Sequence, residues 1–189
     1  MEPRELLDFL HFGERLKSVI RHSVTSEGIP ESVADHSWRL CLFAFALKDE
    51  FKDIDMDKVI RMCIIHDLGE AITGDIPAFD KTDTDRVSEY QLAMDKFESF
   101  PAPVCTEFAE LYTEMEKQET KEARFYKALD KLEAVIQHNE ADLSSWTEHE
   151  KVLNLTYGYE YVEEFEYLKK LRDEMKKDTL KKIGGGSNV

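Results

Sequence analysis

The chain has 189 residues, 42% of them hydrophobic and 34% charged, the balance of a soluble globular protein long enough for one domain with a sizeable core. Its net charge of −15 argues against broad electrostatic binding to nucleic acid polymers or an anionic membrane, but a small phosphorylated substrate needs only a local cation. Cys41, Cys63 and Cys105 are far apart in apolar segments, so they read as reduced core residues, not a disulfide framework or a Cys-based zinc motif. The acidic start MEPRELLDFL has no apolar signal region and no apolar run reaches membrane-spanning length, which makes a cytoplasmic location the default expectation.

The predicted elements are helical almost throughout. Leu6, Phe9, Leu10, Leu16, Val19 and Ile20 recur at helical spacing until TSEGIPES interrupts with Gly28 and Pro30. A second helix starts near Ser32, with His36, Leu40, Phe43 and Leu47 on one stripe. The next is expected over about 57–71; its segment VIRMCIIH is apolar nearly all round and predicts a central, buried helix. TGDIPAFDKTDTD reads as a polar loop, followed by a charged helix to about Ser99 that FPAP stops. A further helix covers about 104–117. Thr120 is a fair N-cap for a long helix burying Phe125, Ala128, Leu129, Leu132, Val135 and Ile136. A last helix is expected over about 159–182, with Tyr161, Phe165, Leu168 and Met175 on its apolar side, and 184–189 as a flexible tail. The whole reads as one all-α domain over 1–183.

Four residues fit these apolar faces badly. His36 interrupts the stripe of the second helix, His66 and Asp67 end the third, and Asp130 flanks the apolar face of the long helix. Taken singly, each has a structural explanation. Together, two imidazoles and two carboxylates on three helices suit one divalent ion, with water completing its coordination. Burying them without a metal or partners is costly. A bound divalent ion lowers the pKa of its water and makes hydroxide available near neutral pH. Glu70, four residues after His66, is expected on the same helix face, where a carboxylate can accept or return a proton. Asp75 follows in the Gly74 loop, where a side chain can be aimed at a site.

The motifs ESVADHSWR (31–39), HDLGEAITGDIP (66–77) and EARFYKALDKLEAVIQ (122–137) are similar to those of the HD-domain metal-dependent phosphohydrolases, and within them to the 5′-deoxynucleotidase branch. The resemblance covers about residues 16–146. It implies an all-helical single-domain bundle with a mononuclear site between helices, one divalent cation (Mn, Co, Mg, Zn, Fe or Ni), and release of phosphate from nucleoside 5′-monophosphates, often 2′-deoxy forms. Members are often homodimers. By the resemblance His36, His66, Asp67 and Asp130 are metal ligands, Glu70 is the catalytic acid/base, Asp75 assists it, and Arg21 contacts substrate. His22 stands where characterised members have a tryptophan tied to rejecting the ribose 2′-hydroxyl. No histidine lies between His66 and His138, whereas dinuclear relatives need extra histidines there. Two competing readings are a pyrophosphohydrolase or other nucleotide phosphoesterase, and a non-catalytic helical module whose metal is structural. The second needs neither Glu70 nor Asp75. Lys81, just past the loop, is a weaker candidate for phosphate contact.

Overall fold

The computed structural model describes residues 1–76 and 82–185. Ten helices dominate the described residues: α1 (Pro3–Glu14), α2 (Val33–Ala46), α3 (Met56–Ile65), α4 (Glu70–Thr73), α5 (Asp83–Glu98), α6 (Val104–Lys117), α7 (Lys121–Glu140), α8 (Glu148–Leu153), α9 (Tyr159–Val162) and α10 (Glu166–Gly185). Local chemistry fixes their starts. Ser32 and Asp35 close a capping box on α2, the Asp55 carboxylate caps α3, and the Thr120 hydroxyl caps α7. None is long and apolar enough to cross a membrane.

The hub is α7, which packs against α2, α3, α6, α9 and α10. Its Phe125, Leu129 and Leu132 are fully buried and meet Leu40 of α2 and Val59 and Met62 of α3. The predicted buried face of this helix is therefore the middle of the core. By contrast, α3 is not buried all round: Val59, Met62, Cys63 and Ile65 face inward while Ile64 is 54% exposed. At the far end α10 packs on α7, with Leu168 and Met175 buried and the fully buried Arg172 bonded to the carbonyls of Asn154 and Tyr157.

Four local expectations are corrected. First, the helical spacing through Leu16, Val19 and Ile20 does not continue the first helix up to the break at TSEGIPES. After α1 and a short 3₁₀ turn at Arg15–Lys17, the chain forms two antiparallel strands, β1 (Ile20–Val24) and β2 (Pro30–Ser32), joined by a tight turn with Gly28 at φ 78°. Val19, Ile20, Val24 and Thr25 are β-branched and favour an extended chain. Second, the third helix stops at Ile65 instead of reaching residue 71. His66 is its C-cap, and the amides of Leu68, Glu70 and Ala71 bond carbonyls three residues back through the turn that leads into α4. Gly69 in this turn packs closely: a Cβ there would lie 3.2 Å from both Ala93 Cβ and the Tyr112 hydroxyl. Third, the C-terminal helix is broken, with Glu163–Phe165 separating α9 from α10. Fourth, Gly184 and Gly185 belong to α10, not to a tail; residues 186–189, like Lys81, lie outside the described residues.

Candidate metal centre

Each polar residue that interrupts an apolar stripe is delivered to one point. His36 sits one turn into α2, His66 and Asp67 at the end of α3, and Asp130 in the middle of α7. His36 Nε2 lies 3.2 Å from His66 Nε2, 3.4 Å from Asp130 Oδ1 and 4.0 Å from Asp67 Oδ2. His66 Nε2 is 2.9 Å from Asp67 Oδ2. Both histidine rings are essentially buried.

The outer nitrogens fix the tautomers. His66 donates Nδ1–H to the Cys63 carbonyl at 2.9 Å, and His36 donates Nδ1–H to the Glu133 carboxylate. Each Nε2 therefore turns a lone pair toward the other and toward two carboxylates. Such an array of inward-facing acceptors repels itself unless a proton or a cation sits among them. The donor set thus fits a divalent ion, with nitrogen and oxygen ligands suited to several first-row metals.

The charge shifts agree. Burial alone raises the Asp67 carboxyl, but neighbouring His66 and His36 outweigh it and hold it well below the usual carboxylate range. Burial likewise opposes ionisation of Asp130, and Lys131, Lys127 and His36 overcome it. Burial and Arg21 disfavour a charged His36, yet hydrogen bonds to Asp130 and Glu133 push it up to about 9. In the metal-free centre His36 carries the compensating proton.

Glu70 lies one short turn beyond Asp67 and is buried. Burial, then the Asp67 and Asp75 charges, push its carboxyl up to about 10. Among the described residues its Oε2 is buried without a hydrogen-bond partner, which marks room for water or a ligand. Although the helix expected to join His66 and Glu70 is broken, Asp67, Glu70, Asp75 and Asp130 line one pocket of about 280 Å³. Arg21 and His22 line it from β1. The Arg21 guanidinium donates Nε–H to Glu31 at 3.1 Å and places Nη1 3.8 Å from Asp67. His22 Nε2 is 2.6 Å from Glu150 Oε1, so this ring is anchored to α8.

Several residues escaped the sequence reading. Glu133 orients His36 and is itself held by Arg39 Nε at 2.5 Å. Its signal was available: it follows Asp130 by three on α7 and so shares that face. Glu31, next to the Ser32 cap, anchors Arg21. Glu31, His36 and Glu133 also lie close together, but that group uses His36 Nδ1, whose proton is already given to Glu133. Lys127 and Lys131 flank Asp130, at 3.3 and 3.0 Å from its Oδ2. Arg172 donates to the carbonyls of Tyr157 and Asn154 at 2.9 and 2.7 Å, pinning one pocket wall.

A mostly helical scaffold that brings two histidines and two aspartates from three helices to one buried point defines a class of helical proteins suited to binding a metal ion. The chain belongs to the HD domain family, whose model matches residues 13–172. It is 35% identical over 141 residues to the 5′-deoxynucleotidase HDDC2 of Bos taurus, covering 72% of this chain and 68% of that one. The Homo sapiens protein of the same name is 34% identical over the same shares. In fold, it is similar to the crystal structure of a "predicted metal-dependent phosphohydrolase" from Magnetospirillum magnetotacticum MS-1, with a TM-score of 0.78, 24% identity, and 95% and 96% of the two chains covered.

Proposed function

We propose that the chain is a metal-dependent phosphomonoesterase that releases phosphate from nucleoside 5′-monophosphates, 2′-deoxy forms among them. The observation that carries this is the shared pocket. Asp67 and Asp130 line it together with Glu70, whose carboxyl holds its proton to about 10, and the Arg21 guanidinium, while His36 and His66 stand directly behind the two aspartates. The relatives named 5′-deoxynucleotidase supply the substrate class. A divalent cation on those ligands would supply positive charge at the reacting phosphate and an acidified water near neutral pH.

The chain's own groups have separable tasks. Arg21 lines the pocket with five N–H donors, one of them committed to Glu31, and can offset charge on the phosphoryl oxygens. In the reaction the oxygen of water bonds to phosphorus as the bond to the 5′-oxygen breaks. Glu70 gives its proton to the departing 5′-oxygen and regains one from the attacking water, so the products are a nucleoside and inorganic phosphate. Asp75, whose charge helps keep the Glu70 proton in place, assists that exchange. A structural metal module would have no use for Glu70 and Asp75 in the same pocket, and their presence there favours catalysis.

Phosphate release from ribo- and deoxyribonucleoside mono- and triphosphates, with Mn²⁺, Co²⁺, Mg²⁺ or Zn²⁺ added, tests the proposal. Release from 5′-monophosphates is expected. No release from protein that retains metal overturns it, and pyrophosphate release from triphosphates redirects it.

A further inference from the structure

The two carboxylates of the centre are each backed by positive charge, but from different elements and in different ways. Behind Asp67 stands Arg21 of β1, with Nη1 3.8 Å from Oδ2. Behind Asp130 stand two lysines of α7, one turn apart, with Lys131 Nζ at 3.0 Å and Lys127 Nζ at 3.3 Å from the same Oδ2. The other oxygen of Asp130, Oδ1, faces His36. One ammonium would suffice to orient Asp130. Two like charges converging on a single oxygen repel each other, and an anion between them and Arg21 relieves that repulsion.

The two lysines are not equivalent. Lys131 also bonds the Tyr157 hydroxyl, and Tyr157 is in turn fixed through its carbonyl by Arg172. Its side chain is 15% exposed, against 28% for Lys127, and both line the pocket. An ammonium has three N–H donors. Lys131 spends two on protein groups, whereas Lys127 gives one to Asp130 from a more open position.

We propose that Lys127 is a substrate-binding residue that contacts a non-bridging oxygen of the phosphoryl group from α7, as Arg21 does from β1, while Lys131 is a positioning residue that holds Asp130. This inference rests on the phosphomonoesterase reading above. In a chain of net charge −15, three cations lining one pocket favour the approach of a dianion there.

Calorimetric titration of the Mn²⁺-loaded full chain with inorganic phosphate, alongside metal content and steady-state kinetics, tests it. Lys127→Met is expected to keep its manganese, to weaken phosphate binding about tenfold or more, as loss of a charge-assisted hydrogen bond does, and to raise KM more than it lowers kcat. Lys127→Arg should recover much of the binding. Lys131→Met is expected to weaken Mn²⁺ binding instead, with Lys131→Arg restoring it. Wild-type phosphate affinity in folded, manganese-replete Lys127→Met and Lys127→Gln would overturn the role of Lys127. Wild-type protein that neither binds phosphate nor releases it from nucleotides would overturn the phosphomonoesterase reading itself.

Discussion

The two halves of the pocket are built on different physical terms. The half that brings His36, His66, Asp67 and Asp130 together is made of side chains on or at the ends of three helices whose other faces form the core. Its histidines are locked by outward hydrogen bonds to Glu133 and the Cys63 carbonyl. The half that carries Arg21, His22, Glu150 and Tyr157 comes from a two-stranded hairpin, a six-residue helix and the turn before α9. Those pieces are held by ion pairs and single hydrogen bonds, with His22 45% exposed. The first half resists adjustment because moving any member disturbs packing; the second can change one residue at a time.

Substitutions in the first half should therefore act all-or-none. His66→Ala is expected to lose both the metal and phosphate release, as measured by elemental analysis and turnover. A variant that keeps full metal content and turnover would show that His66 is not part of the centre. Glu70→Ala should separate the two properties: metal retained, and kcat lower by about 10²–10⁴-fold, the usual contribution of a positioned acid/base. Glu133→Gln keeps the shape but weakens the acceptor for His36 Nδ1–H. Metal affinity is expected to fall about 10–100-fold, the typical effect of losing such support.

The proton on His36 gives a pH test with a definite sign. With His36 raised to about 9 in the metal-free centre, the ion must displace a proton at neutral pH. Apparent metal affinity should rise about tenfold per pH unit up to about 9, and titration in buffers of different ionisation enthalpy should report about one proton released per ion. The same group contributes stability to the metal-free protein below its unfolded pKa, near 6.5, and loses that contribution as pH rises through about 9. Metal affinity rising while metal-free stability falls over this interval is the signature. Proton release that stays at zero from pH 6 to 8 would remove His36 as the carrier.

The contrast between the halves also explains what the sequence reveals. His36, His66, Asp67 and Asp130 stand out because polar groups break apolar stripes whose periodicity is otherwise clean, and burial makes such breaks expensive without a cause. The long helix α7 was legible for the same reason, down to its Thr120 cap. The hairpin was not: five residues of β1 and three of β2 pair across a single tight turn, too short for alternation to outweigh the helical spacing of Leu16, Val19 and Ile20. Nor was the break after Ile65, where the following turn packs Gly69 closely against Ala93 and Tyr112, a contact between distant segments. Glu150 and Arg172 sit in charged stretches where their sequence neighbours face solvent, and only tertiary contacts single them out.

The smallest expected effect lies at Glu150, and it probes the adjustable half most directly. Glu150 serves two partners with its two oxygens. Oε2 accepts from the Thr147 amide in the capping box of α8, and Oε1 meets His22 at 2.6 Å. Glu150→Gln preserves the cap, since glutamine serves equally in a capping box, but removes the charge facing His22. His22 is 45% exposed, and a contact open to solvent on one side is expected to contribute about 0.2–1 kcal/mol, so the shift in KM should stay within about fivefold. If His22 meets the sugar, that shift will differ between ribo- and deoxyribonucleoside 5′-monophosphates, because the anchored ring borders the pocket beside Arg21. Equal shifts for the two sugars would leave Glu150 as a support for α8 alone and place sugar discrimination elsewhere on the wall.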